Sequence, residues 1–331
     1  MNKRAMAALV SALMFVSCMY GTAVAAPKVL KFSCLEPDSS LETKLLREHF
    51  VKYIEEKSNG KYKVDIYPGS SLGNTDTVIQ GLNMGTIHLA FDSTSNLSQF
   101  SPKLAIFDLP YMFTREELAV AMDSPAGDKL KGEARQFGVH IINFIAAFQR
   151  NLIARKPFKT VAEMEGVKAR STNSKWHIFG LQALGFKPIP MAAAEMMTGI
   201  QQGVVDCMDI AISAMYGYHI YDVAKYVIMT DQTNICTTLF TSAEWWDTLP
   251  PADKKLITEA ANQYRNAITS AFDESTANFI KLLKEGGCDV YTLPDSERDI
   301  WRAKVYKAYE NLPDDMRALF KELRAAVDNK K

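Results

Sequence analysis

Two arginines stand where a folded chain could bind an anion, and they form the most informative pair in the sequence. Arg170 ends the alternating segment 167–170, and a capping run, residues 171–174, leads from it into a helix. In α/β sheets, ligands lie at the carboxyl ends of strands, where a helix amino terminus also presents free N–H groups. A guanidinium adds a planar fork of donors that matches a carboxylate or another anion. A lone arginine is more often a surface charge, so the strand-end position is what favours an anion site formed by Arg170 and Arg150.

Aromatic and polar side chains elsewhere are candidates for the rest of this site. The candidate apolar walls are Trp176, Tyr216, Phe148 and Tyr218. Asp92 and Ser93, directly after the apolar segment 87–91, are candidate polar contacts. Aromatic side chains are mostly core residues, so each of them also has a purely structural interpretation.

Ser71 offers a second chemistry. Residues 69–73 read Gly-Ser-Ser-Leu-Gly and match the nucleophile-elbow pattern G-x-S-x-G between a predicted strand and a helix. His219, after Asp206 or Asp209, would complete the order of a catalytic triad. The same run is also ordinary turn chemistry, and the preceding strand is polar at alternate positions, unlike the doubly buried elbow strand of a hydrolase. A secreted serine hydrolase is therefore the alternative, and a protein that is not an enzyme is preferred.

Metal and cofactor chemistry is not expected. The five histidines show neither HxxxH nor HExxH spacing, so the sequence predicts no metal site and no cofactor. Four cysteines, Cys34, Cys207, Cys236 and Cys288, would allow two disulfides in three pairings in an oxidising compartment. No CxxC pattern occurs, and small buried hydrophobic residues are the favoured interpretation of all four.

Composition and the first residues indicate an exported, soluble globular protein. The 331 residues are 47% hydrophobic, 23% charged and 10% aromatic, which excludes a disordered or collagenous chain. Lys+Arg and Asp+Glu both number 38, so no nucleic-acid-binding bias is present. Residues 1–25 are predicted to be a cleaved signal peptide that directs the chain to the periplasm. Cys18 lies in a loose lipoprotein box that lacks the usual Leu three residues earlier.

The pattern of elements predicts an α/β fold with a mixed sheet covered by helices. The predicted elements are strands at 28–34, 62–66, 87–91, 142–148 and 167–170, and helices at 40–58, 75–84 and 174–184. Residues 252–285 contain neither Gly nor Pro. They are expected to form either two helices or one helix of about 50 Å that lies across two domains.

Segments in a fixed order give the chain a resemblance to a known family. A signal peptide is followed by YPGSSLG at 67–73, FDLPYMF at 107–113, VAEMEGVKAR at 161–170, PM at 190–191 and WDTLPPAD at 246–253. Together these resemble the DctP-type substrate-binding proteins of tripartite ATP-independent periplasmic (TRAP) transporters, over essentially the whole mature chain.

The resemblance implies a two-lobed periplasmic binding protein with a long helix that spans both lobes. Lobe I is expected at 26–148 plus about 236–275, and lobe II at 149–235 plus about 276–331. The ligand would bind between the lobes. The expected partners are a small organic anion and the small and large membrane subunits of an ion-gradient-driven transporter; the protein itself is expected to be a monomer. A ligand-sensing partner of a membrane receptor is a further alternative.

The resemblance also assigns roles to residues. In the family, the arginine that ends an E-x-x-G-x-x-x-R strand binds the ligand carboxylate, and Arg170 has that position. Arg150 matches a second arginine of some members. Ile210 replaces an Asn that some sugar-acid binders carry, and Ala192 replaces a frequent aromatic residue after Met191. Fewer polar side chains would then form hydrogen bonds with hydroxyl groups of the ligand. The expected ligand is therefore a small carboxylate, or a sulfonate such as isethionate, rather than a polyhydroxylated sugar acid.

Overall fold

The fold was described from a computed structural model, which covers residues 26–330; the predicted signal peptide and Cys18 lie outside this range. The strands are β1 Lys28–Cys34, β2 Tyr62–Tyr67, β3 Leu89–Ser93, β4 Val139–Ala154, β5 Lys168–Ser171, β6 Lys187–Pro190, β7 Cys207–Ala211, β8 Tyr226–Ser242 and β9 Asp289–Thr292. The first helices are α1 Leu41–Leu45, α2 Lys52–Lys57, α3 Thr75–Asn83, α4 Thr94–Leu97, α5 Arg115–Met122, α6 Pro125–Glu133 and α7 Val161–Met164. The remaining helices are α8 Lys175–Leu184, α9 Met196–Gln201, α10 Ile212–Gly217, α11 Ala243–Thr248, α12 Pro251–Glu285, α13 Asp295–Tyr309 and α14 Asp314–Asp328. A π-helical segment, Leu46–Val51, joins α1 to α2, and short 3-10 segments occupy Pro102–Asp108, Ala134–Phe137, Ala193–Glu195 and Ile220–Asp222.

One mixed sheet runs through the molecule in the order β2-β1-β3-β8-β4-β7-β5-β6, and β9 pairs with β8. The strands β1, β2 and β3 are parallel, as are β5, β6 and β7. Between these two groups lie the antiparallel strands β4 and β8, of 16 and 17 residues. We call the part around β1–β3 the first lobe and the part around β5–β7 the second lobe. The predicted fold class is confirmed, whereas the predicted lobe boundaries remain a prediction.

Both faces of the sheet are covered by apolar packing. On β3, Leu89 and Phe91 belong to a core cluster with Tyr264 of α12, whereas Ala90 between them belongs to a second cluster beneath α3 and α5. This is the two-sided burial expected of strands with helices on both faces. A third cluster, around Met208 and Ile210, fills the second lobe.

The segment without Gly or Pro forms a single helix. Helix α12 has 35 residues and begins at Pro251, whose fixed φ and missing N–H suit the first helical position. It packs against α1, α2 and the π-helical segment, against β4, and then against α10 and β9. The helix therefore lies along both lobes, as one of the two predicted alternatives requires. The last two helices separate: α13 packs on α7 and α8, and α14 packs on α5 and α6.

Two strand predictions differ from the structure. The strand expected at 87–91 is β3, Leu89–Ser93, because the N–H groups of Thr86 and Ile87 donate to Gly81 O and close the end of α3. The strand expected at 142–148 is only the middle of β4, because β4 continues into the second lobe to pair with β7.

Candidate ligand-binding site

Arg170 lies where β5 meets α8, as predicted. Ser174 caps α8 by accepting a hydrogen bond from His177 N, and Gly185 ends this helix at a φ of 101°. The Arg170 side chain is only 5% exposed, and its Nε and Nη2 donate to the main-chain oxygen of Met191 at 3.1 and 2.8 Å. Burial, together with the positive charge of Arg150, lowers the pKa of Arg170 to about 10. The guanidinium is thus held in place by the backbone, and its charge is poorly compensated.

Arg150 lies on β4 at the point where this strand passes from one lobe to the other. It is 4% exposed and lies opposite Ala211 of β7, beside an irregularity in the β4–β8 register. Its Nη1 and Nη2 are 3.3 Å from Asp209 O and 3.4 Å from Ser95 Oγ, both near the upper limit for a hydrogen bond. Its Nε is buried and has no partner among residues 26–330.

No carboxylate forms an ion pair with either guanidinium within the part of the chain that the structure describes. All the hydrogen bonds of Arg150 and Arg170 go to main-chain carbonyls or to a hydroxyl. Asp209 is the nearby acid and its charge acts on Arg170, but its two carboxylate oxygens accept from the neutral His177 and Gln232 side chains at 2.7 and 2.8 Å and contact neither guanidinium. Buried charges are normally paired, so two unpaired guanidiniums within one another's field form a site that an anion would complete.

A buried polar network fixes the strand ends beneath this site. The Nδ1 of His177 accepts from Thr172 N at 3.1 Å, so the neutral ring carries its proton on Nε2 and donates it to Asp209. Burial, and then the charge of Arg150, lowers the pKa of His177, which keeps the imidazole neutral. Because Thr172 follows β5 and Asp209 lies on β7, the network joins the two strands. Sequence reasoning missed it; the available signal was a histidine in the first turn of the helix that follows Arg170.

Asp108 joins helices on the two sides of the arginine pair. Its carboxylate accepts from Ser95 Oγ at 2.5 Å and from Ser174 Oγ at 2.7 Å. Ser95 belongs to α4 and is also the hydroxyl next to Arg150, whereas Ser174 caps α8. The buried Asp108 carboxylate therefore links the hydroxyl that contacts Arg150 to the start of the helix that follows Arg170.

Three carboxyl groups lie at the carboxyl ends of first-lobe strands. Glu36 follows β1, Glu42 lies in α1, and Asp92 is the second-last residue of β3. Burial, and then the charges of Glu42 and Asp92, raises the pKa of Glu36 to about 8, and burial likewise raises the pKa of Glu42 and of Asp92. Sequence analysis predicted only Asp92. Glu36 and Glu42 could have been found by applying to β1 the strand-end argument that identified Arg170.

The second lobe meets these acids through the segment that contains α10. Ser213 Oγ donates to Glu42 Oε1 at 3.4 Å. Burial, followed by the charge of Glu36, raises the pKa of Tyr218, while the charge of Arg170 opposes this rise. Tyr218 is therefore within electrostatic reach of both the first-lobe acids and the second-lobe arginine.

The other predicted site residues have mainly structural surroundings. Trp176 is buried in the largest core cluster and packs edge-on against Phe179, although its indole N–H has no partner in residues 26–330. Tyr216 stacks on Tyr221 at 5.3 Å. Ile210 is buried in the core of the second lobe.

Two neighbouring first-lobe candidates, Asp92 and Ser93, and the aromatic candidate Phe148 are linked through a helix or a cluster to residues that lie beside Arg150. Ser93 caps α4 by accepting from Asn96 N, in the same helix as Ser95. Asp92 accepts from Ser93 N, Asn96 Nδ2 and Thr75 Oγ1. Phe148 forms a small apolar cluster with Ala211, the residue opposite Arg150.

The serine and histidine that a serine hydrolase would need are not brought together within residues 26–330. Gly69 and Ser70 adopt positive φ values, and their N–H groups donate to Glu36 O and Cys34 O, so the turn docks on the loop after β1. Ser71 is exposed, and β2 lies at the edge of the sheet. The described contacts of His219 are with Tyr221 and Asp222.

The cysteines, the possible metal-ligating side chains and the helices of residues 26–330 provide no disulfide, metal site or membrane span. The cysteines of residues 26–330 are buried and free, which agrees with the favoured interpretation and leaves no disulfide among them. This range contains no cluster of three or more His, Cys, Asp or Glu side chains that could hold a metal ion. Each helix between residues 26 and 330 is too short or too polar to cross a membrane.

Comparisons with known proteins show the family that the chain resembles. The sequence profile of the DctP family, the bacterial extracellular solute-binding proteins of family 7, matches residues 32–317. The 2,3-diketo-L-gulonate-binding periplasmic protein YiaO of Escherichia coli K12 is 26% identical over 82% of this chain and 84% of its own. The C4-dicarboxylate-binding periplasmic protein DctP of Vibrio cholerae is 27% identical over 91% of both chains.

Solved structures show the same fold. The sugar acid binding protein DctPAm of Advenella mimigardefordensis, in complex with galactonate, superimposes with a TM-score of 0.85 at 25% identity, over 92% of this chain and 99% of its own. A TRAP periplasmic solute binding protein of Polaromonas sp. JS666, bound to D-erythronate, gives a TM-score of 0.82 at 27% identity, over 91% and 98%. The family and these neighbours are binding proteins and not enzymes. The chain therefore belongs to the DctP family of TRAP periplasmic solute-binding proteins.

Proposed function

We propose that this chain is the periplasmic solute-binding subunit of a TRAP transporter and that it captures a small organic anion between its lobes. Arg170 is the main anion clamp and Arg150 is the second donor. The observation that carries this proposal is the burial of two guanidiniums, 5% and 4% exposed, whose hydrogen bonds all go to neutral oxygens.

The donor geometry explains how an anion would be bound. Arg170 uses Nε and Nη2 on Met191 O, so its Nη1 is available to a ligand. Arg150 has an unpartnered Nε and two long hydrogen bonds that a charged acceptor could replace. Charge-assisted hydrogen bonds are shorter and about twice as strong as neutral ones, so an anion would gain most by contacting both side chains. Ligand binding would then favour the closed arrangement of the lobes, because only that arrangement offers both walls.

The ligand class follows from the donors and from the relatives. The relatives compared above are described with galactonate, D-erythronate, 2,3-diketo-L-gulonate or C4-dicarboxylates, all of which are organic carboxylates. A carboxylate is accordingly the first expectation for this chain. A short sulfonate such as isethionate is the second, because guanidinium donors are not specific for the shape of a carboxylate.

Transport completes the proposal. Export of the chain after cleavage of residues 1–25 would place it in the periplasm as a monomer, in line with the periplasmic relatives. There it would deliver the anion to a small and a large membrane subunit, which use an ion gradient for uptake.

The proposal is tested by measuring the melting temperature of ligand-free protein against a panel of organic anions. The panel contains sugar acids, dicarboxylates, keto acids, aromatic acids and short sulfonates, and each carboxylate is matched by its carboxamide, which removes the charge. Ligand at about a thousand times its Kd stabilises by roughly 4 kcal/mol, which shifts the melting temperature by several degrees. We expect such a shift for one class of anion and none for the matched amides. Equal shifts with acids and amides, or a panel without any shift, would contradict the proposal.

A further inference from the structure

Two of the three first-lobe carboxyl groups have no structural partner that accounts for them. Asp92 is accounted for, since Thr75, Asn96 and the Ser93 N–H donate to its two oxygens at 2.6 to 2.8 Å. Glu42 is different: its side chain is 5% exposed, its Oε1 accepts a long hydrogen bond from Ser213, and its Oε2 is buried without a hydrogen-bond partner. Burial raises its pKa, and its own main chain, Ser213 and Ser40 offset this rise only in part. Glu36 is partly buried, and its carboxyl group forms no hydrogen bond or ion pair within residues 26–330.

The Glu42 carboxyl group points out of its own lobe. The hydroxyl that contacts Oε1 belongs to Ser213 of α10, on the second-lobe side, so the carboxyl group lies where the two lobes face each other. Tyr218, just after α10, is in the electrostatic field of Glu36, Glu42, Asp92 and Arg170 at once. Ser213 lies two residues after Ala211, the residue opposite Arg150, so the Glu42 carboxyl group that it contacts lies near the arginine pair.

This arrangement restricts the charge of the occupant. An ordinary dicarboxylate would satisfy the arginines, but its second carboxylate would face Glu36 and Glu42 and would fit only while both stay protonated, as their raised pKa values allow when no cation is bound. An apolar tail would leave the buried Glu42 oxygen without a donor, which costs free energy. An ammonium group carries three donors and a positive charge, so it could pair with both glutamates.

Resting on the anion site proposed above, we infer that Glu36 and Glu42 form a second subsite, for a cationic nitrogen, and that the ligand is a zwitterion. Its acidic group contacts Arg150 and Arg170, and its ammonium group, or a protonated ring nitrogen, contacts the two glutamates. Asp92 supports the first-lobe wall, and its hydrogen bonds are already used within that lobe.

Pairs of probes that differ in one group test this subsite. The pairs are glycine and glycolate, β-alanine and 3-hydroxypropanoate, 4-aminobutanoate and 4-hydroxybutanoate, and taurine and isethionate. Within each pair a hydroxyl replaces the ammonium group while length and acidic group are kept. Titration calorimetry on ligand-free protein is expected to show the amino member of the best-fitting pair binding about 10-fold or more tightly than its hydroxy partner.

Variants identify the residues responsible. Glu42→Gln and Glu36→Gln should each weaken the amino member about 10-fold while changing the hydroxy member by less than about 3-fold. The matched control is Glu259→Gln on α12, whose carboxylate accepts from Tyr53 on the outside of the helix; it should change neither. Circular dichroism and an unchanged affinity for the hydroxy member exclude misfolding as the cause.

The outcomes separate this inference from the proposed function. If hydroxy members bind as tightly as amino members, or more tightly, and Arg170→Ala abolishes this binding, the cationic subsite is wrong and the anion site stands. The glutamates would then act as protonated donors to ligand hydroxyls, as a sugar acid requires. If no amino or hydroxy acid binds and the wider anion panel is also without effect, both proposals are wrong.

Discussion

Arg150 is predicted to destabilise the protein in the absence of ligand, so Arg150→Met should produce a more stable protein that binds poorly. The variant loses two hydrogen bonds of 3.3 and 3.4 Å, each contributing at most about 1 kcal/mol at such lengths. It also removes a guanidinium that is 4% exposed and that has no carboxylate partner in the described chain. A buried ion carries a desolvation penalty of several kcal/mol, and an apolar side chain of similar length does not. The net expectation is a gain of about 1–2 kcal/mol in the free energy of unfolding.

The assay is urea denaturation of protein refolded free of ligand, with calorimetry for binding. Arg150→Met should raise the denaturation midpoint without changing the slope, and should weaken anion binding about 30-fold or more. The matched control is Arg298→Met. Arg298 is also largely buried, but it pairs with Asp231 at 3.2 Å and donates to Met229 O, so its loss should destabilise the protein. The reasoning is refuted if Arg150→Met lowers stability as much as the control does.

Three further outcomes follow from the same structure. Burial in the folded state raises the pKa of Glu36 to about 8, so folded Glu36 keeps a proton that the unfolded chain releases near pH 4.5. The free energy of unfolding should therefore fall as the pH rises from about 4.5 to 8. In urea denaturation, Glu36→Gln should equal wild type near pH 4 and be about 2 kcal/mol more stable at pH 8. An unchanged difference across this range would contradict the assignment. His177→Leu leaves one buried oxygen of Asp209 unpaired, so it should lower the free energy of unfolding by about 2–4 kcal/mol and weaken anion binding. An unaltered affinity in a folded variant would show that the network does not position the site. Trp176→Phe should change affinity less than about 2-fold, because Trp176 lies in the core; a larger loss measured by calorimetry would restore its predicted role as a wall of the ligand site.

The arginine site could be predicted because its signal is local. Arg170 is followed within a few residues by the cap and the first turn of a helix. One short segment therefore contains the strand end, the anion donor and the start of the helix. Arg150 was selected with Arg170 from the sequence, and the family resemblance then matched it, but no local signal comparable to that of Arg170 described its surroundings. Its environment depends on β4 pairing with β7 at Ala211, about sixty residues away, and no pattern within β4 encodes that contact.

The acids could not be predicted as a group because they come together only in the folded sheet. Glu36 and Asp92 are brought close by the parallel pairing of β1 with β3, in which Cys34 lies opposite Phe91. Glu42 joins them from α1, and only the contact with Ser213 shows that it faces the other lobe. The long helix was ambiguous for a similar reason: the absence of Gly and Pro permits 35 helical residues, but packing along both lobes is what keeps them in one helix.

The extents of the central strands also depended on tertiary structure. The apolar segment 142–148 indicated a strand, but β4 runs from Val139 to Ala154 because β8 pairs along its length and β7 pairs with its second end. Strand β8 was not predicted as one element. Its polar residues 230–234 lie at the passage between the lobes, where Asn151 Oδ1 accepts from the N–H groups of Thr230 and Asp231.

The most direct test of the central claim is the Kd of the best-bound anion for wild type and for Arg170→Ala, measured by calorimetry on ligand-free protein. If Arg170 is the buried anion clamp, its loss should weaken binding by about 2–5 kcal/mol, roughly 30-fold or more. The control is Arg265→Ala, because Arg265 forms a bidentate ion pair with Asp123 at 2.7 Å outside the site. The Kd of this variant for the same anion should stay within about 2-fold of wild type. A folded Arg170→Ala protein with wild-type affinity would contradict the account.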